Sequence, residues 1–302
     1  MAYDKSDARA ALAPAAAAKP STGLIAESQL ATFYDTAADV DDTNGKSWFV
    51  RGQNFVLVQS EAQPGGTFAR KDQADEYVVL LPEAGAAIIV DGVTKVLQGN
   101  TIAFVPPGDS SVTLPEGGRF FRMFTSQSPD LVAQCPNADA YDVPRTHIPA
   151  FQAWPTPKDG WKLRHYSLDV AKEPGRFGRI FRCTTFMVNI LDPWDGPRDT
   201  TKMSPHHHDE FEQGSLVLEG MYSHHLRWPW TTDMADWRDD VEVKVGAPSA
   251  FVIPPPVVHT SRATGAGRNA MVDIFCPPRQ DFSAKSGWVL NADDYPMPDI
   301  SE

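Results

Sequence analysis

An internal repeat constrains this chain more than any other feature of its sequence. Residues 47–125 and 180–276 share one order: a strand, a proline- and glycine-containing turn, a polar stretch, an apolar strand ending near glycine, a hairpin, and an apolar strand closing on prolines. Predicted strands such as Tyr77–Leu81 and Ala250–Ile253 are short, rich in β-branched and aromatic residues, and bounded by turn residues. A chain of 302 residues with this pattern predicts an all-β protein of two similar lobes.

The stretch between the repeats predicts where the lobes divide. Residues Ser128–Lys158 are rich in proline and polar side chains, which is typical of a connector. We therefore predict an N-terminal arm over residues 1–40, a first lobe over 41–150 and a second lobe over 151–302. The alanine run near the start of the arm is preceded by acids and interrupted by proline, unlike a signal peptide. We expect the arm to be flexible or to lie over a neighbouring subunit.

Charge and cysteine content narrow the class of partner. The net charge of -12 argues against nucleic acids and anionic membranes, because these polyanions bind to basic surfaces. Cys135, Cys183 and Cys276 are odd in number, far apart and without Cys-x-x-Cys spacing, which fits a reducing cytosol and buried thiols. We expect a cytoplasmic protein, a homodimer, that acts on a small molecule.

Two segments of the second repeat contain the candidate metal ligands. In SPHHHDEFEQG, His206 and His208 are two residues apart, so on a strand both imidazoles point to one side while His207 faces away. This pair alone is weak evidence, because adjacent histidines also occur on solvated loops. Further along, the apolar strand FVI ends in a proline turn that leads to His259. Three imidazoles from two segments are therefore available to a single ion.

These segments resemble the two motifs of the cupin superfamily. The first motif is His-x-His, a carboxylate or amide, then glycine, and the second is Pro-x-Gly-x-x-His. The matching positions in this chain are His206, His208, Gln213 and Gly220, then Pro254, Pro256 and His259. Pro256 departs from the glycine that the family often has, and Ala263 from its asparagine. The resemblance covers both repeats and implies two tandem cupin β-barrels, a double-stranded β-helix or jelly roll, with short helices in the connectors.

The resemblance implies four metal ligands, and the identity of the fourth has an alternative. The spacing to Gly220 selects Gln213 beside the three histidines. Glu212 remains the alternative, because strict alternation from His206 and His208 places Glu212 on their side of the strand. Gln213 then needs a β-bulge to turn inward.

The first repeat contains no candidate transition-metal ligand set. All eight histidines lie beyond residue 146, and Ser111 stands where the metal histidine of the second motif would fall. We therefore predict a metal site in the second lobe alone. The first lobe is expected to be structural, packing on the second lobe or forming a dimer surface, and the alternative is that it holds a small ligand.

The predicted ligands suggest the chemistry of the site. Three neutral imidazoles and an amide leave the charge of a divalent ion uncompensated, which makes the ion a stronger Lewis acid. Such ligands suit Fe, Mn, Ni, Co, Cu or Zn, and the resemblance favours Fe(II) or Mn(II). Tyr222 and His224 follow Gly220 on the next strand and are the candidate catalytic residues, the alternative being ordinary residues of the barrel rim.

The resemblance most readily implies a metal-dependent oxidoreductase, a dioxygenase of a small oxygenated substrate such as an aromatic compound. The alternatives are a Lewis-acid lyase or isomerase of a small acid, and a non-catalytic metal-binding bicupin. An acid substrate needs more cationic groups than the sequence places. Arg182 and Arg227 are candidates to pair a substrate carboxylate, and the alternative for both is a surface ion pair. Four tryptophans near the site in sequence either line its mouth or fill the core: Trp194, Trp228, Trp230 and Trp237.

Overall fold

The structure is a computed structural model that describes residues 7–12 and 24–299. Strands dominate the described chain, and its two α-helices, Pro129–Val132 (α1) and Gln280–Ser283 (α2), are short. Three 3₁₀ helices span Ala8–Ala11, Ala138–Tyr141 and Met234–Asp236. The all-β prediction is confirmed. Across the described ranges, none of the helices has the length and apolar character that a membrane crossing requires.

The described chain contains twenty-one strands, numbered in chain order. The first twelve are β1 (Gln29–Thr32), β2 (Val40–Asp42), β3 (Gly45–Arg51), β4 (Phe55–Ala62), β5 (Gly66–Gln73), β6 (Tyr77–Leu81), β7 (Ala86–Val90), β8 (Val93–Leu97), β9 (Thr101–Val105), β10 (Gly108–Leu114), β11 (Gly118–Thr125) and β12 (Arg164–Ser167). The others are β13 (Arg179–Arg182), β14 (Met187–Ile190), β15 (Trp194–Asp195), β16 (Glu212–Glu219), β17 (Tyr222–Arg227), β18 (Val241–Val245), β19 (Ser249–Ile253), β20 (Val258–Ala263) and β21 (Arg268–Cys276).

The strands form two barrels of the same plan. In the first barrel, a seven-stranded sheet β12-β9-β6-β11-β4-β3-β2 faces a four-stranded sheet β5-β10-β7-β8. In the second, the sheet β1-β19-β16-β21-β14-β13, with β15 joined to β21, faces the three-stranded sheet β18-β17-β20. The order β9-β6-β11-β4-β3 matches β19-β16-β21-β14-β13 strand for strand. The repeat in the sequence is therefore a repeat in the structure.

Each barrel receives one strand from outside its own repeat. Strand β1 precedes the first repeat but pairs with β19 of the second barrel, Leu30 opposite Phe251. Strand β12 precedes the second repeat but pairs with β9 of the first barrel, Tyr166 opposite Ile102. Strands β9 and β19 are equivalent in the two barrels. Each barrel therefore receives the outside strand at the same position of its sheet.

The predicted division of the chain at residues 40 and 150 stays a prediction. Strand β1 lies within the predicted arm and β12 within the predicted second lobe, so both strands cross the proposed boundaries. The described parts of the arm contact both barrels of the same chain: β1 pairs with β19 of the second, and the Asp39 carboxylate accepts from the Phe49 amide of the first. Residues 1–6 and 13–23 of the arm fall outside the described residues.

The two seven-stranded sheets pack against each other through one apolar layer. Alternate residues of each strand enter this layer, while their neighbours point into the barrel of that strand. The layer joins side chains of both repeats into a single buried cluster, which includes Trp48, Phe55, Leu57, Leu80, Phe104, Phe121, Phe186, Val188, Leu216, Val252, Val272 and Ile274. We call it the inter-barrel layer.

Two buried glutamates link the barrels reciprocally. Glu76, just before β6, accepts hydrogen bonds from the Thr184 amide at 2.9 Å, the Thr184 hydroxyl at 3.0 Å and the Tyr295 hydroxyl at 2.7 Å. Glu212, at the start of the equivalent strand β16, accepts from the amides of Gln53 and Asn54, each at 2.8 Å. Burial raises the pKa of both carboxyls, that of Glu212 to about 7.

Replacing Glu76 with alanine is expected to destabilise the protein by about 3–5 kcal/mol, because it leaves a buried amide and two hydroxyls without their acceptor. The melting temperature should fall on the order of 10 °C in calorimetry. The matched control is Glu83→Ala, whose side chain is 70% exposed and pairs with Arg119; it should change the melting temperature little. Equal melting temperatures for the two variants would contradict the link.

Candidate metal centre

Two backbone hydrogen bonds bring the histidine segments together. The amide of His206 donates to the carbonyl of His259 at 3.0 Å, and the amide of His259 donates to the carbonyl of His206 at 2.8 Å. His208 follows two residues after His206. The three imidazoles are buried, and each has a ring nitrogen in a group whose members lie within 4.8 Å of one another. No other group of three His, Cys, Asp or Glu residues in the described ranges meets this spacing.

The contacts of two rings indicate which nitrogen carries the proton. Nδ1 of His206 lies 2.8 Å from the carbonyl of Ser204, and Nδ1 of His259 lies 2.9 Å from the carbonyl of Val257. Because a carbonyl only accepts, we assign the ring proton to Nδ1 in both cases. Burial lowers the pKa of His259 to about 4 and that of His206 well below its usual value, so both rings are neutral. With the proton on Nδ1, Nε2 is the nitrogen of each ring that can accept a hydrogen bond or bind a metal ion.

The side chain of Gln213 completes a cluster of acceptors. Its amide nitrogen donates to the Ser215 hydroxyl at 3.1 Å and to the Asp273 carboxylate at 3.2 Å. Its carbonyl oxygen consequently points to the histidines, 3.0 Å from His208 Nε2 and 3.2 Å from His259 Nε2. In this tautomer His259 Nε2 and Gln213 Oε1 are both acceptors and lie 3.2 Å apart, an arrangement that a shared cation would satisfy.

This cluster fits a divalent transition metal. Neutral imidazoles and an amide oxygen are ligands that such ions accept, and deprotonated nitrogen is the binding form. Backbone carbonyls hold the Nδ1 atoms of two of the rings, which is the usual way in which a protein orients metal-binding histidines. The residues that would hold the ion are His206, His208, Gln213 and His259, and their role as ligands stays a prediction.

Glu212 points away from the histidines. Its carboxylate lies in the contact between the barrels, on the opposite side of β16 from Gln213. No bulge is needed, because residues 209–211 are not strand and interrupt the alternation that starts at His206. The register of β16 is regular from Glu212 to Val217, and its irregularity falls after Val217. The expected bulge at Gln213 was therefore wrong.

Aromatic rings and two arginines border the histidines. The Phe211 ring centroid lies 4.5 Å from that of His208, and the Phe275 centroid 6.0 Å. Phe211 also lines a cavity of about 700 Å³ that includes Trp154. After burial, the charges of Arg9 and Arg279 further lower the pKa of the histidines. No local pattern in the sequence indicated that these cations lie beside the site.

Both arginines are fixed by neighbouring residues. The guanidinium of Arg279 lies 3.5 Å from the Phe282 ring centroid, and Asp281 accepts from its Nη2 at 2.6 Å. The guanidinium of Arg9 lies 4.1 Å from the Phe177 ring centroid and bonds to Asp7. The first described segment of the chain therefore packs against the second barrel near the histidines.

Comparison with known proteins supports the fold. No protein-family model and no curated protein matches this sequence. Among solved structures, the chain is similar to AerE from Microcystis aeruginosa, with a TM-score of 0.55, 9% identity, and coverage of 84% of this chain and 98% of that chain. It is also similar to a putative glyoxylate-induced protein from Pseudomonas aeruginosa, with a TM-score of 0.54, 16% identity, and coverage of 88% and 95%.

A third similar structure is the oxalate decarboxylase of Lactobacillus farciminis in complex with formate, with a TM-score of 0.51, 13% identity, and coverage of 87% of this chain and 88% of that chain. The chain therefore has the fold of a bicupin, two tandem cupin barrels. The two predicted cupin barrels are confirmed, and at these identities the likeness extends to the fold alone.

The two candidate catalytic residues face the interior of the second barrel. His224 is buried, its Nδ1 lies 2.8 Å from the Ser261 hydroxyl, and its Nε2 has no hydrogen-bond partner in the described structure. Burial lowers the pKa of His224 to about 3, so the ring is neutral. The Tyr222 ring lies 6.4 Å from it. Burial raises the pKa of Tyr222, so its hydroxyl stays protonated.

Asn189 is a polar interior residue that the sequence patterns did not single out. It stands opposite Asp273 in the pairing of β14 with β21, and Asp273 stands opposite Ser215 in the pairing with β16. Directly opposed residues share one face, so all three point into the barrel. The Asn189 amide is buried and has no hydrogen-bond partner in the described structure. A single polar residue in each of the apolar runs MVNIL and MVDIF was the available signal.

Other residues named from the sequence lie elsewhere in the described structure. Arg227 pairs with Asp240 at the surface at 2.6 Å, and Arg182 stacks on Trp154 at 5.2 Å. Neither contributes to the pKa shifts of the three histidines. His207 has its Nε2 atom 3.9 Å from Asp209.

The four tryptophans neither line the mouth of the site together nor fill the core together. Trp228 is buried in the core, whereas Trp194, Trp230 and Trp237 are exposed. The indoles of Trp230 and Trp237 stack on each other with centroids 4.6 Å apart. The aromatic walls beside the histidines come instead from Phe211 and Phe275.

Elemental analysis of alanine variants tests the ligand set. Replacing any of the three histidines should remove most of the metal, and Gln213→Ala should weaken retention, because each substitution deletes a ligand atom. Glu212→Ala is the matched control from the same strand, expected to lower stability but to keep the metal. Circular dichroism confirms folding before the metal is measured. Loss of metal in Glu212→Ala with full retention in Gln213→Ala would reverse the assignment.

Proposed function

We propose that this bicupin is a metal-dependent enzyme, a dioxygenase that binds a small oxygenated organic molecule at the centre formed by three histidines and Gln213. The proposal rests on the close approach of two acceptors, His259 Nε2 and Gln213 Oε1, which lie 3.2 Å apart. A metal ion bound to both atoms would stabilise this arrangement. Fe(II) or Mn(II) is the proposed ion. When bound, it would supply Lewis acidity and a meeting point for substrate oxygens and dioxygen.

The residues around the centre have roles in this proposal that follow from their chemistry. Phe211 and Phe275 exclude water from one side of His208 and offer an apolar wall to the body of the substrate. The unpartnered amide of Asn189 and Nε2 of His224 are groups to which substrate oxygens or hydroxyls can hydrogen-bond. The cavity that Phe211 lines is the proposed route of entry.

A second candidate, a Lewis-acid lyase of a small carboxylic acid, is favoured by one observation. Arg9 and Arg279 act on the histidines as fixed positive charges, and both are largely buried. Guanidinium groups near a metal centre stabilise a bound carboxylate. In this second proposal Arg9 and Arg279, which pair with Asp7 and Asp281, would also serve as cationic groups for the acid.

An oxygen electrode separates these functions. Protein reconstituted with Fe(II) or Mn(II) is screened against phenols, diketones and small carboxylic acids, with and without dioxygen. The dioxygenase proposal expects one dioxygen consumed per product and no product under anaerobic conditions. Product formed equally without dioxygen would favour the lyase. Stoichiometric metal without any turnover would favour a non-catalytic bicupin.

The variant His224→Gln should keep its metal but lose about 10²–10⁴ in kcat, as expected for a positioned proton-transfer or hydrogen-bonding group. The matched control is His225→Gln, the next residue of β17, which faces out of the barrel; its kcat should be unchanged. Rates are measured with the substrate found in the screen. Equal kcat for both variants would remove His224 from the catalytic residues.

A further inference from the structure

The interior of the first barrel contains a buried arginine. Arg122 of β11 points into the barrel with Phe120 and Phe124, and only 6% of it is exposed. Three phenylalanine rings surround its guanidinium, with centroids at 4.7 Å for Phe68, 5.2 Å for Phe120 and 5.9 Å for Phe124. These cation–π contacts stabilise the charge but supply no hydrogen-bond acceptor.

The guanidinium of Arg122 has a buried hydrogen-bond donor without an acceptor. Nη2 of Arg122 donates to the Ser60 hydroxyl at 3.0 Å, and Ser60 in turn bonds to Ser47 at 2.7 Å. Nε is fully buried and has no hydrogen-bond partner in the described structure. Several other arginines, Arg119 among them, also have an unpaired Nε, so this donor supports a ligand only together with the missing counter-charge of Arg122.

The charge of Arg122 is also uncompensated. Among the described residues, no Asp or Glu forms an ion pair with it. Burial lowers the pKa of Arg122 to about 10, which keeps it protonated at neutral pH. The other nearby charge, Arg70, is a cation that pairs with Asp130. An isolated buried cation is costly unless an anion accompanies it.

The strand registers show how the two barrels correspond at this point. Val105 ends β9 before a proline and pairs with Tyr77, just as Ile253 ends β19 before a proline and pairs with Gln213. Tyr77 of the first barrel therefore holds the place of Gln213 in the second. Its hydroxyl lies 3.0 Å from that of Ser110.

Two residues further along these strands, Val79 pairs with Arg122 and Ser215 pairs with Asp273. Arg122 therefore holds in the first barrel the place that the carboxylate of Asp273 holds in the second. The second barrel presents acceptors and an anion, which suit a cation. The first presents donors and a cation at the equivalent position.

We propose that the first barrel is an anion-binding site in which Arg122 binds a small carboxylate of one or two carbons. The Nε–H and a terminal N–H form the side edge of the guanidinium, whose spacing matches the two oxygens of a carboxylate. The surrounding phenylalanines limit the ligand to a small ion and strengthen the interaction by excluding water. This site is independent of the metal centre.

Thermal unfolding and titration calorimetry with formate and acetate test the site at constant ionic strength, with acetamide as the neutral probe. The background is the full chain carrying His206→Ala and His259→Ala, so that the metal centre contributes nothing. Formate or acetate should raise the melting temperature saturably by a few degrees, and acetamide should not. In Arg122→Met, the apparent Kd should weaken at least tenfold.

The matched control is Arg119→Met, on the same strand, where the arginine pairs with Glu83; it should bind formate and acetate like its parent. If Arg122→Met does not fold, Arg122→Lys replaces it and should also weaken binding, because lysine lacks the two-pronged edge. No saturable effect of either anion, or equal affinity in the Arg122 variant and its parent, would overturn the proposal.

Discussion

The inter-barrel layer determines which side chains of the two seven-stranded sheets point into the barrels. Leu216 of β16 is held in that layer, so Gln213 and Ser215, which have the opposite parity, must face the second barrel. Glu212 fixes the same register, because its carboxylate accepts two amides of the first barrel. A slip of one residue would bring a carboxylate into the barrel and expose apolar side chains, so the register is strongly specified. The amide of Gln213 meets the histidines as a consequence of this packing.

The exchange of strands makes the two barrels one folding unit. Strand β1 completes the second barrel and β12 completes the first, while Glu76 and Glu212 each bind backbone amides of the opposite repeat. Each barrel thus depends on the other for a strand and for buried hydrogen bonds. Within this shared frame the interiors have diverged: Gln213 and Asp273 of one barrel correspond to Tyr77 and Arg122 of the other. The two barrels therefore share one fold, but their interiors suit ions of opposite charge.

Local patterns in the sequence predicted the fold and the candidate metal centre. The repeat of short strands, the pair His206 and His208, the proline turn before His259 and the spacing from Gln213 to Gly220 all depend on neighbours along the chain. The spacing has a physical cause, since Gly220 has a φ of 83° and a Cβ there would lie 2.4 Å from Asn269 Oδ1. Glycine thus ends β16 at a fixed position.

Features that depend on contacts between distant segments of the chain could not be predicted from the sequence. The charges of Arg9 and Arg279 act on the histidines only because the chain start and the residues after β21 pack against the second barrel. The exchanged strands are short and have no local sign of their partner. Arg182, singled out for its strand position, stacks on Trp154 because its parity and strand place it there. Strict alternation from His208 would place Glu212 on the side of the histidines. Residues 209–211 are not strand, so the alternation does not continue to Glu212.

X-ray absorption spectroscopy of the metal edge in the purified protein tests the central claim most directly. Three imidazoles and an amide oxygen around one ion predict a first shell of nitrogen and oxygen only, with the multiple-scattering signal of three histidine rings. A sulfur shell, or the signal of fewer than two imidazoles, would contradict the convergence of His206, His208 and His259 on a single cation.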